Sequence, residues 1–251
     1  TKTCVWNSAT AFLSVVGNTI REHEHMAYND SRMARPQSGG VANSVSTNKV
    51  LRNTYALLAM TLLFSAVTAG AAVALGIQQM NIFVFFIGAY GLMFLVHKTA
   101  NSAAGLLATF AFTGFMGFTL GPILSAYLTL PNGGALIMNA LAMTGLTFVG
   151  LSAVALTTKK DFSFLSNFLM AGAIVLILAM IAGFFFNIPA LSLMVSAGFV
   201  LFASAAILYQ TSEIIHRAGE TNYILATVTL YVSIYNLFVS LLSILGIMSN
   251  D

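Results

Sequence analysis

From Thr54 onward the chain alternates long apolar runs with short polar ones. The runs lie at about Thr54–Gly76, Ile82–Val96, Ala103–Tyr127, Ala135–Leu156, Phe162–Phe186, Ala190–Tyr209 and Tyr223–Met248. A helix needs ~20 apolar residues to cross the hydrocarbon core of a bilayer, and only the second run, bounded by Asn81 and His97, is short. Each run is continuously apolar, whereas a membrane barrel strand alternates over roughly ten residues. The pattern predicts an all-α membrane protein, a bundle of seven transmembrane helices in a lipid bilayer.

Residues 1–53 differ from the rest. They hold six of the ten Lys+Arg and three of the seven Asp+Glu, together with the polar run "SGGVANSVSTN". Such a composition cannot bury enough apolar surface to offset the entropy of ordering, so residues 1–53 read as a flexible polar tail and 54–251 as the transmembrane domain. "TAFLSVVG" is too short, and too poorly flanked by cations, for a secretory signal. Met26 and Met33 are candidate natural starts, which would make the first 25–32 residues a non-native extension.

Composition narrows the function. Of 251 residues, 58% are hydrophobic and 7% charged, too few charges to cover a globule in water. The net charge of +3 comes from cations placed singly or in pairs beside apolar runs, without the basic stripe that nucleic acid needs. Cys4 is the only cysteine, and no His, Cys or carboxylate set has metal-ligand spacing, so no metal or cofactor is expected.

The cations instead report orientation. Lys49 and Arg52, then Lys98, then Lys159 and Lys160, then Arg217 occupy alternate connections, while "IQQMN", "TLPNGG" and "NIP" have none. Because cations in short loops prefer the cytoplasmic side, the N-terminal side is expected in the cytoplasm and Asp251 outside.

"LYQTSEIIHRAGETNY", Leu208–Tyr223, concentrates Glu213, His216, Arg217 and Glu220 in one short stretch. It reads as the last cytoplasmic loop, with Glu213 solvated beside His216 and Arg217 at i+3 and i+4. "GLSA" at Gly150–Ala153 lacks the second glycine of an intramembrane serine protease motif, so Ser152 reads as a small packing residue. No acid or base falls at mid-depth, where a transporter would keep one. What remains is neutral: Asn139, Gln210, Tyr231, Ser233, Tyr235 and Asn236, read as interhelical hydrogen-bonding groups worth ~0.6–2 kcal/mol each. Gly117 and Gly121 in "GFMGFTLGP" have the small-xxx-small spacing that permits close helix contact.

"NKVLRNTY", "LMFLVHKTAN", "FTGFMGFTLGPIL", "LTTKKDFSFL" and "GETNYILATVTLYVSIYNLFVSLLSILG", in this order, resemble the Bax inhibitor-1 family, and within it a bacterial branch that modulates the membrane protease FtsH. The resemblance runs from about Asn48 to the C-terminus. It implies a bundle whose seventh helix is central, with an FtsH-type AAA protease as partner. Several family members are pH-sensitive calcium leaks, attributed to one acid near the end of the sixth helix and one in the seventh. Those positions fall on Gln210 and Ser233, neither of which ionises, so the resemblance leaves calcium as an open partner. Glu213, one turn beyond Gln210, is a candidate displaced acid. The implied function is a non-enzymatic regulator of FtsH-type proteolysis, with an ion leak for calcium or protons as the alternative.

Overall fold

The computed structural model describes residues 40–77, 81–158, 160–185, 189–217 and 221–249. These form seven helices: α1 (Gly40–Ala74), α2 (Ile82–Thr99), α3 (Ala103–Leu128), α4 (Gly133–Thr158), α5 (Leu165–Phe185), α6 (Pro189–His216) and α7 (Tyr223–Met248). Six are long and apolar enough to cross a bilayer, and α2 is a shorter apolar helix, so the seven expected runs are all helical.

Two boundaries differ from expectation. α1 begins at Gly40, well before residue 53, so the later part of the expected tail is helical. No glycine or proline interrupts residues 41–69, and once a turn is nucleated each added residue contributes one more hydrogen bond. The expected tail before Gly40 lies outside the described residues. α6 runs on past Tyr209 to His216, which moves Glu213 and His216 from the expected loop into a helix. The run ended at Tyr209 only because polarity begins there, and polarity facing neighbouring helices does not stop a helix.

Local chemistry sets several ends. α1 closes with Gly76 at φ 67°, where the Ile77 and Gly76 amides donate back to the Ala72 and Val73 carbonyls. This is the double bond of a helix stop that favours glycine. Asn81 and Asn222 each accept the amide two residues on, from Phe83 and Ile224, and so cap α2 and α7. Asn222 also donates to the Ala100 carbonyl at 2.9 Å and to Asn101 Oδ1 at 2.8 Å, tying the start of α7 to the α2–α3 connection. Pro122 does not end α3, which continues to Leu128.

α7 is the central helix. Its apolar window is 83% buried, against 22% for α4 and 56% for α3, so it has no broad face left for lipid. It packs against α1, α2, α3, α4 and α6, while α5 packs chiefly on α6. Leu63, Val67, Phe83, Ile87, Phe94, Leu146 and Val175 instead project outward, as an apolar belt does where the solvent is hydrocarbon.

α1 and α3 approach one another closely. A Cβ on Gly117 would overlap the Ser65 carbonyl and Thr68 Oγ1, and one on Gly121 would overlap the Ala72 methyl. Both glycines are therefore needed for the two backbones to approach, as their spacing implies.

Candidate functional site

The end of α6 holds consecutive polar residues, and a helix turns each by about 100° from the last, so each meets a different neighbour. Gln210, Thr211 and Ser212 are all buried. Gln210 faces α7, where Ser233 Oγ donates to Gln210 Oε1 at 3.2 Å. Ser233 Oγ also lies 3.1 Å from the Thr229 carbonyl of its own helix. Thr211 Oγ1 meets the Tyr55 hydroxyl of α1 at 3.4 Å. Ser212 Oγ accepts the Phe162 amide at 3.1 Å and approaches the Lys160 carbonyl at 3.2 Å, which pins the α4–α5 connection.

Glu213 turns elsewhere. Its Oε1 accepts from the Tyr209 hydroxyl at 3.0 Å and stands 3.9 Å from Arg217 Nη1. Tyr209 belongs to the apolar cluster between α5 and α6, so Glu213 sits beside that cluster and not beside Ser233. With both members of the ion pair about a third or more exposed, it contributes little to stability. His216 is exposed, and its Nδ1 lies 2.9 Å from the Ser212 carbonyl. Glu220 lies outside the described residues. In the α4–α5 connection, Asp161 accepts the Ser163 amide at 2.9 Å. That bond, aided by His216 and Arg217 nearby, holds the Asp161 carboxyl below the usual carboxylate range.

The other polar residues of α7 divide between two faces. Tyr231 Oη is 2.6 Å from Ser65 Oγ and donates to the Thr113 carbonyl at 3.2 Å, joining α7 to α1 and α3. Tyr235 Oη meets Thr119 Oγ1 at 3.2 Å. Toward α6, Ser196 Oγ donates to Ser243 Oγ at 3.1 Å, well along the seam from Gln210 and Ser233. Asn236 Nδ2 donates to the Val232 carbonyl at 3.0 Å. Asn139, expected between helices, is instead exposed on α4, because it falls off the stripe of Leu136, Ala140 and Thr144 that faces the bundle.

Sequence reasoning missed Ser65, Thr211, Ser212, Ser196 and Ser243. The last had a readable signal, since Thr229, Ser233, Asn236, Ser240 and Ser243 recur at i+4, i+3, i+4, i+3 along one helix face. Ser152 is buried, and its Oγ is hydrogen-bonded to no other group of the described residues, so no base activates it. Among the described residues no three His, Cys, Asp or Glu side chains gather as a metal site would require. The two α6–α7 contacts, Gln210 with Ser233 and Ser196 with Ser243, join neutral groups.

The chain is 58% identical over 214 residues to a protein of Pseudomonas aeruginosa, covering 85% of this chain and 96% of that one. It is 55% identical over 207 residues to the Escherichia coli K12 protein named modulator of FtsH protease YccA, covering 82% of this chain and 94% of that one. An Escherichia coli O6:H1 protein named inner membrane protein YccA matches to the same extent, 55% over 207 residues. The family model described as inhibitor of apoptosis-promoting Bax1 matches residues 47–250, from within α1 to beyond the end of α7. This multi-pass helical membrane protein belongs to the Bax inhibitor-1 family.

Proposed function

We propose that the chain is a non-enzymatic, polytopic regulator of the bacterial inner membrane that associates with an FtsH-type AAA protease and restrains it. The observation that carries this reading is its 55% identity to a named FtsH modulator across 94% of that protein.

The geometry is consistent with regulation by association. Gln210 and Ser233 satisfy one another as an amide and a hydroxyl, and neither can gain or lose a proton near neutral pH. A gate worked by two carboxylates sharing a proton has no counterpart at that contact. Among the described residues Ser152 Oγ has no hydrogen-bond partner, so no base is placed to activate that hydroxyl.

The alternation of charged and uncharged connections supports a cytoplasmic N-terminal side and an external C-terminus. The charged end of the bundle, with Lys98, Lys160, Glu213, His216 and Arg217, then faces the cytoplasm, where the AAA module of such a protease works. The test is affinity capture of the tagged chain from detergent-solubilised membranes of cells expressing it with FtsH. Recovery of FtsH in near-stoichiometric amount supports association, and recovery no greater than that of an unrelated seven-helix protein refutes it.

A further inference from the structure

Two bonds fix how α6 faces α7: Gln210 with Ser233, and Ser196 with Ser243. At about 100° per residue, Ser233 and Ser243 bound an arc of roughly 80° on α7, and Asn236 and Ser240 both fall inside it. All four therefore point into the seam. On α6 the matching stripe is Ser196, Val200, Ala203, Ile207 and Gln210, at i+4, i+3, i+4, i+3. Ala203 and Ile207 join the cluster around α7, whereas Phe199, Phe202, Ala206 and Tyr209 join the one around α5.

In the middle of this seam two buried oxygens have no partner in the described protein, Asn236 Oδ1 and Ser240 Oγ. Their residues are 4% and 2% exposed, so lipid and bulk water do not reach them. The Asn236 amide is oriented by its own helix: Nδ2 donates to the Val232 carbonyl, so Oδ1 is the atom directed away. Ser240 is equally informative. Ser233 and Thr227 lie 3.1 Å and 2.7 Å from the carbonyls four residues back, and Ser240 forgoes that bond. Midway between the two fixed bonds, Ala203 stands level with the stretch from Asn236 to Ser240 and offers only a methyl group.

Two acceptor oxygens one turn apart, on the same face and opposite a small side chain, make a site for a neutral hydrogen-bonding guest. We propose that the α6–α7 seam binds internal water at mid-depth, held by Asn236 Oδ1 and Ser240 Oγ opposite Ala203. A water donates to the amide oxygen and exchanges a bond with the hydroxyl, using the groups the helices leave over. A metal cation would need formal charge or many oxygens about it, and no charged side chain of the described residues lies along either stripe. The site is therefore one of hydration, independent of whether the protein engages a protease.

The test is an X-ray density map of the full chain crystallised from a lipidic mesophase, at a resolution that shows ordered water, with calcium present. A water peak within hydrogen-bond distance of both Asn236 Oδ1 and Ser240 Oγ is expected, lost in the Asn236→Leu/Ser240→Ala protein while the helices stay in place. A dry seam in the natural protein overturns the proposal. So does a peak that persists in the double variant, or one that gives the anomalous signal of calcium.

Discussion

Ser233 Oγ and Gln210 Oε1 meet at 3.2 Å in the buried seam between the central helix and α6, at the two positions where resemblance to the family would put acids. Replacing both by aspartate sets two carboxyls within reach of one proton. Two negative charges that close repel one another, so the pair can hold a proton between them and release it as the pH rises. The expected outcome is that liposomes with the Gln210→Asp/Ser233→Asp protein take up calcium in a pH-dependent way between about pH 6 and 8, while the natural protein gives none. Calcium uptake by the natural protein would contradict this account of the seam.

Contact between α1 and α3 depends on Gly117. A leucine there must displace the Ser65 backbone and the Thr68 side chain, and overpacking of this kind costs ~1–3 kcal/mol. Gly117→Leu should unfold in detergent at a clearly lower temperature than the natural protein. Gly134→Ala, where an added methyl meets nothing within 4 Å, should leave the midpoint nearly unchanged. Equal midpoints for the two variants would remove the close-approach argument.

How much of this was legible in the residues depends on the kind of signal. The seven helices were plain, because ~20 apolar residues in a row have few structural outcomes besides a membrane helix. The end of α6 was not, because Thr211, Ser212 and Glu213 look solvated in a one-dimensional reading. Only the packing shows that Thr211 and Ser212 face α1 and the α4–α5 connection. Asn139 failed for the opposite reason: a polar residue in an apolar run was taken to point inward, and it points outward. The stripe from Thr229 to Ser243 was readable by period, yet which helix it faced required the bonds to Gln210 and Ser196.

The Tyr231 hydroxyl joins three helices through Ser65 and the Thr113 carbonyl. Tyr231→Phe keeps the ring against Phe112 and removes only that link. A double-mutant cycle of Tyr231→Phe with Ser65→Ala should return a coupling of ~0.6–1.7 kcal/mol, the range for hydrogen bonds between membrane helices. A coupling of zero would mean the bond exchanges freely with other partners.

The cations of alternate connections support the proposed orientation, with the N-terminal side in the cytoplasm and the C-terminus outside. A periplasm-dependent reporter fused after Met248 should be active, and the same reporter inserted in the α4–α5 connection beside Lys160 should be silent. The reverse pattern would invert the bundle and put its charged end outside, away from the AAA module of any FtsH-type protease.

Restraint of proteolysis is the central claim, and the half-life of a membrane protein degraded by FtsH measures it most directly. The substrate should be followed after translation is stopped, in cells that lack their own modulator and either express this chain or do not. Expression should lengthen the half-life several-fold without changing FtsH abundance, and removal of FtsH should abolish the difference. An unchanged half-life at confirmed expression would contradict the account.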